Sequence, residues 1–195
     1  MDTPQSPVET KYRVVVSPDD DTYESPAEGR DDLEIFSFNL RHNNFKHPDT
    51  FGLTGRAPAV TSTQPGLRRK LETGTAFILS CYQHSGIAWS LKGEGMQDRF
   101  DTAQVAGLLL QKGRRGETYA QREQRARGFL EAYNAWCNGE IYVAELQSYL
   151  EGEEADAKDL ETCGGLHGRS GVDAWLKETC EARGINVTLC PLVWR

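Results

Sequence analysis

The chain has 195 residues, of which 38% are hydrophobic and 26% charged, with a formal net charge of −7. A chain of this length buries roughly 70% of its unfolded surface, so a single domain can be stable without disulfides or metals. The composition excludes collagenous and coiled-coil classes. No apolar run approaches the ~20 residues of a membrane span, and Met1-Asp2-Thr3-Pro4-Gln5-Ser6-Pro7 lacks the charged and apolar regions of a secretion signal, so the expected location is cytoplasmic.

In chain order, residues 1–10 read as a disordered leader, being polar with Pro4 and Pro7 and lacking periodicity. The β-branched run Tyr12-Arg13-Val14-Val15-Val16-Ser17, stopped by Pro18, reads as a strand, and Leu33 to Phe38 as a second. From Arg41 to Pro65 the Asn, Gly, Thr and Pro content predicts a long irregular loop, followed by a short helix over 66–72. Thr75 to Tyr82 reads as a buried strand, Gln83-His84-Ser85-Gly86 as a turn, and Ile87 to Leu91 as the returning strand, with Val105 to Leu110 as another. Thr118 is placed to cap a helix over 118–137, in which Phe129, Leu130, Tyr133, Trp136 and Cys137 share an apolar face, and Asn138-Gly139 stops it. Glu140 to Tyr149 reads as a strand and Leu160 to Cys163 as the start of its return. Ser170 with Asp173 has the form of a capping box opening a helix over 171–183 that Gly184 ends, and Val187 to Leu189 reads as a closing strand. Strands in runs with two main helices late in the chain predict an α+β fold, a single domain over 11–195 with a largely antiparallel sheet.

The charge is segregated. Residues 19–34 hold eight acids (Asp19, Asp20, Asp21, Glu24, Glu28, Asp31, Asp32, Glu34) and one base, Arg30. Residues 151–161 hold six more against Lys158, so the remainder of the chain carries a positive excess, seen in Arg68-Arg69-Lys70 and in Arg114, Arg115, Arg122, Arg125 and Arg127. Such runs serve as solvated faces, and a focused acidic potential also steers association with a basic partner. The basic helix is interleaved with Glu117, Glu123 and Glu131, and the isoelectric point near 5.2 opposes a phosphate-tracking surface, so direct nucleic-acid binding is not expected.

Four groups carry candidate chemistry. Asp19 and Asp21 follow a strand end, where carboxylates hold hard cations such as Mg²⁺ or Ca²⁺, although the spacing is not that of an EF-hand. His84 lies between two predicted strands with Asp98 and Asp101 after the second, so a histidine base oriented by a carboxylate is conceivable there, with a hydrogen-bonded turn histidine as the plainer reading. Gly164-Gly165-Leu166-His167-Gly168 leads to a helix N-terminus able to receive an anion, or supplies a tight turn. The five cysteines (Cys81, Cys137, Cys163, Cys180, Cys190) are dispersed without a Cys-x-x-Cys pair, which suits burial in a reducing compartment rather than disulfides or zinc. The rings Phe129, Tyr133, Trp136 and Trp175 are assigned to packing.

Three patches resemble a family of small bacteriophage-encoded proteins. They are Val15-Val16-Ser17-Pro18-Asp19-Asp20-Asp21 with Glu24-Ser25-Pro26; Gln83-His84-Ser85-Gly86-Ile87-Ala88 with Phe100-Asp101-Thr102-Ala103-Gln104-Val105; and Tyr133-Asn134-Ala135-Trp136-Cys137-Asn138-Gly139-Glu140-Ile141-Tyr142 with Cys163-Gly164-Gly165-Leu166-His167-Gly168. The chain departs from the family where it has Gly29-Arg30-Asp31-Asp32-Leu33 and Phe100-Asp101-Thr102-Ala103 in place of tryptophan-bearing stretches. The resemblance implies a phage origin without a set activity, and small phage proteins of the host cytoplasm commonly bind host factors, including defence complexes. The expected function is therefore a non-enzymatic host-interaction protein of anti-CRISPR or antirestriction type. It would bind a host protein through Asp19, Asp20, Asp21, Glu24, Asp31 and Asp32, without a cofactor. The alternative is a metal-dependent hydrolase or nucleotide-processing enzyme with Mg²⁺ or Mn²⁺ on Asp19 and Asp21 and with His84 and Asp101 as catalytic groups.

Overall fold

Valine-rich β1 (Thr10–Pro18) opens the described part of the chain; the computed structural model describes residues 9–21, 24–56 and 59–195, so most of the expected leader lies outside the described residues. The elements that follow are β2 (Leu33–Ser37), β3 (Leu53–Thr54), β4 (Thr61–Ser62), α1 (Pro65–Thr73), β5 (Ala76–Gln83), β6 (Ile87–Leu91), β7 (Thr102–Gln111), α2 (Tyr119–Cys137), β8 (Ile141–Leu150), β9 (Lys158–His167), α3 (Gly168–Arg183) and β10 (Leu192–Trp194). The fold is α+β with mostly antiparallel pairing, and the short helix expected over 66–72 is α1, which joins the two main ones to make three. Where the sequence reads as a single domain over 11–195, the chain divides into two compact units, residues 1–23 with 139–195 and residues 24–138. No helix among the described residues is long and apolar enough to cross a membrane.

The first unit has a sheet of order β10-β1-β8-β9, in which β10 pairs parallel to β1 and the other pairs are antiparallel. Alternation in β1 sends Val14 and Val16 to one face, where with Ala144 and Leu146 they meet Val172, Leu176 and Cys180 of α3. Helix α3 begins at Gly168 with His167 as its N-cap and no side-chain cap bond, so the expected Ser170–Asp173 box lies inside the first turn rather than before it. Gly184 ends the helix in a left-handed conformation, φ 67°, as its position predicts. The expected strand at Val187–Leu189 is instead a short 3-10 turn, because Asn186 accepts the Thr188 N–H at 3.1 Å and draws the backbone out of a ladder. The closing strand is β10, three residues further on.

The second unit is built on an antiparallel sheet of order β2-β7-β5-β6. Phe77, Leu79, Cys81 and Leu109 face Ala126, Phe129, Leu130 and Tyr133 of α2. Ala76, Ile78 and Leu108 face the other way, onto Leu67 of α1 and Leu53, with Phe51 and Val60 beside them. Burial on both faces explains why β5 and β7 carry unbroken apolar runs where a half-exposed strand would alternate. The segment expected as an irregular loop supplies that second cover through a 3-10 turn (Pro48–Phe51) and the β3–β4 ribbon, residues 57 and 58 lying outside the described residues. Thr118 caps α2 through a full box, its hydroxyl accepting the Gln121 N–H at 3.3 Å while the Gln121 side chain accepts the Thr118 N–H at 2.8 Å.

Candidate functional site

The acids of the first block are divided between the units, Asp19–Asp21 belonging to the first and Glu24–Glu34 to the second. Asp19 is half-buried, and its carboxylate accepts the Gly165 N–H at 2.7 Å and the Asp21 N–H at 3.1 Å. Asp31 pairs with Lys112 at 3.2 Å, and Asp32 takes both arms of Arg30 at 2.9 and 3.0 Å, which holds its carboxyl below the usual carboxylate range. Asp20, Asp21, Glu24, Glu28 and Glu34 are exposed and join no ion pair with a described residue. In the second block, Glu151 pairs with Lys11 and Glu161 with Arg183, whereas Glu153, Glu154 and Asp156 stand exposed on the β8–β9 hairpin without a counter-charge among the described residues.

The four residues of the metal-dependent alternative are divided in the same way, Asp19 and Asp21 in one unit, His84 and Asp101 in the other. Among the described residues no three His, Cys, Asp or Glu side chains are grouped to hold an ion.

The second unit carries a cleft of about 460 Å³ at the β5–β6–β7 end of its sheet. Buried Trp89 and Cys81 and half-buried Phe38 supply apolar lining, and His42, Gln83 and Asp101 supply polar groups. Burial pushes the Cys81 thiol up to about 11, so it is a poor nucleophile at neutral pH. His84 is exposed in the β5–β6 turn and is not among the lining residues; the histidine of the cleft is His42. Its Nδ1 lies 2.8 Å from the hydroxyl of Ser37, and its ring meets Trp89 edge-on at 6.0 Å between centroids. Sequence reasoning passed over His42 because it falls in an Asn-rich stretch with no acid or glycine pattern around it. The one available signal was Ser37, a polar residue in register with the inward-facing Leu33 and Ile35 of β2, which is completely buried.

Other residues singled out in the sequence hold the backbone together. Gly165, at φ 68°, lies where β9 carries an extra residue between the Tyr142–Leu166 and Ala144–Cys163 pairs, and this bulge is what turns its N–H onto Asp19. The glycine segment is thus part of β9 rather than a loop leading to the helix. Gly86 of the β5–β6 turn and Ile87 at the start of β6 lie against Asn138 at the end of α2, whose amide accepts the Ile87 N–H and donates to the Ile87 carbonyl, both at 2.9 Å. Asn134, one turn earlier, does the same for Trp89 at 2.7 and 2.9 Å. The arginines of α2 are engaged as well. Arg125 makes a two-armed bond to Glu117 at 2.9 and 3.0 Å, Arg122 donates to the carbonyls of Thr73 and Glu117, and Arg127 pairs with Glu94 and Glu123. Trp136 and Trp175 are half-buried against their respective cores rather than enclosed by them.

Compared with family models, with curated proteins and with solved structures, the chain matches none.

Proposed function

We propose that this chain is a host-interaction protein of phage type that inhibits a bacterial defence system, of the CRISPR or restriction kind, by binding one of its components through acidic surface. The reading is supported by one observation: two sets of exposed carboxylates, Asp20, Asp21 and Glu24 in one block and Glu153, Glu154 and Asp156 in the other, have no counter-charge among the described residues. Carboxylates left unpaired in this way contribute little to folding and accelerate encounter with a basic partner groove in a salt-dependent manner. Asp19, Asp31 and Asp32, by contrast, are engaged within the chain and are the weaker candidates of the original set.

The test is expression of the chain in cells carrying a CRISPR or restriction system, with phage plating as the readout and affinity capture of the bound component. Plating efficiency is expected to rise. Replacing Asp20, Asp21, Glu24, Glu153, Glu154 and Asp156 by Asn or Gln is expected to abolish both rescue and capture while the melting temperature stays within a degree or two, since unpaired surface charges contribute about ±0.5 kcal/mol each or less. A folded variant that retains full capture at the same salt concentration would remove these acids from the interface.

A further inference from the structure

Near the β5–β6–β7 end of the second unit, three large apolar side chains are left in water. Phe100 is 88%, Leu40 79% and Met96 61% exposed, the largest such values among the described residues of this unit. They share one neighbourhood. Phe100 itself lines the cleft, Leu40 adjoins lining residue Asn39, and the Met96 carbonyl accepts the hydroxyl of lining residue Thr102 at 3.0 Å. An apolar-lined cleft with a few polar groups, beside exposed apolar residues, is the arrangement of a binding pocket, and folding alone gives no reason to expose these residues. The volume of about 460 Å³ falls within the range that holds a small organic ligand.

The polar groups define what such a ligand must present. The Ser37 hydroxyl is completely buried and already accepts the Asn39 N–H at 3.1 Å. Its own hydrogen needs an acceptor, and among the described residues the one it meets is His42 Nδ1 at 2.8 Å. The imidazole therefore carries its hydrogen on Nε2, which has no partner among the described residues and is available as a donor. Across the same lining, the half-buried Asp101 carboxylate receives no hydrogen bond and no ion pair from any described residue, although its backbone is fixed on both sides, N–H to Asp98 at 3.0 Å and carbonyl to Gln83 N–H at 2.9 Å. His42 and Asp101 thus bring a donor and an unpartnered acceptor to a pocket that the rings of Phe38, Trp89 and Phe100 and the exposed Gln83 also line.

We infer that this cleft binds a planar nitrogen heterocycle bearing an exocyclic amino group, of the amino-nucleobase class. The ring would lie among the aromatic walls, a ring nitrogen would accept from His42 Nε2–H, and the amino group would donate to Asp101. The inference does not depend on the partner-binding reading, which uses other residues.

The amino heterocycle could be a free base, a nucleotide or a base in a single strand, so the titration uses adenine, adenosine monophosphate and a short oligodeoxyadenylate against the full chain, followed by calorimetry and by quenching of tryptophan emission. Saturable binding of at least one of the three is expected, and the tightest names the source. Purine, the same ring without the amino group, should bind about tenfold or more weakly than adenine, the factor that a hydrogen bond to a carboxylate typically supplies. Asp101→Ala should lose that same factor for adenine and leave purine unaffected, and its fold is secured by the absence of any described partner for the carboxylate. Phe100→Ala, an exposed position, should weaken adenine and purine together. The inference is overturned by absence of binding to all three probes at millimolar concentration, by equal affinity for adenine and purine, or by an Asp101→Ala variant that binds adenine as the unmodified chain does.

Discussion

Replacing Asn134 by Ala should destabilise the second unit far more than an exposed-helix asparagine has any right to, and the reason lies in the edge of its sheet. Strand β6 has β5 on one side only, so alternate N–H and C=O groups of Ile87 and Trp89 point outward without a ladder partner. Helix α2 fills that role with side chains. Residues four apart on a helix are about 6 Å apart along its axis and residues two apart on a strand about 6.6 Å, so Asn134 and Asn138 match Trp89 and Ile87 in register. The two sites differ in solvent. Trp89 is buried and Asn134 half-buried, so truncation removes two hydrogen bonds and leaves two backbone groups with little access to water, whereas Asn138 is exposed and water can take its place. At about 1 kcal/mol net per bond, and about 1–3 kcal/mol for a buried group left unpaired, Asn134→Ala should cost roughly 2–4 kcal/mol and Asn138→Ala about 1 kcal/mol or less. Urea unfolding of each variant measures the totals, and amide hydrogen exchange at Trp89 and Ile87 reports the local effect. An Asn134→Ala midpoint within about 0.5 kcal/mol of the parent, or equal costs at the two sites, would show that these amides do not serve as a substitute strand.

Asp19→Ala should cost about 1–3 kcal/mol because it strands the Gly165 N–H at the β9 bulge, while Asp20→Ala should fall within about ±0.5 kcal/mol; comparable denaturation midpoints for the two would refute the assignment of Asp19 as a clasp. Glu117 is held down to about 2, first by the Arg125 side chain and then by the Arg114 backbone N–H, below its ordinary value of 4.5. A depressed carboxyl stabilises the fold above its unfolded value and loses that contribution as pH falls through the folded one. Melting temperature should therefore decline between about pH 4.5 and pH 2 in the parent chain, and Glu117→Gln should lower the plateau near neutrality and flatten that part of the profile. An unchanged acid limb in the variant would place the titration on other carboxylates.

How much of this was legible in the sequence depended on whether the information was local. The strands around Val14–Val16, Ala76–Gln83 and Ile87–Leu91, and the α2 boundaries at Thr118 and Gly139, follow from branched side chains, apolar runs and caps that act within a few residues, and the structure places them where those signals lie. The start of α3 was misplaced because His167 begins the helix without a side-chain cap, while Ser170 and Asp173 mimic one. The closing strand was misplaced because three apolar residues after Asn186 look the same whether they form a turn or a ladder. The cleft was not legible, since Phe38, His42, Trp89 and Asp101 come from separate elements and converge only when the sheet forms. Asn134 and Asn138 offered the sharpest unused clue. Asn is a poor helix former and one in mid-helix is usually retained for a bond it makes, and two of them four residues apart on the face that also carries Leu130 imply a row of backbone groups for that face to meet. The motif patches that invite a catalytic reading are accounted for by the same physics: Asp19 meets Gly165, and Asn138 meets Gly86 and Ile87, so their polar and glycine residues serve chain reversals. What those clasps leave over, namely the unpaired carboxylates on the surface and the His42–Asp101 cleft, is where binding chemistry has room to act.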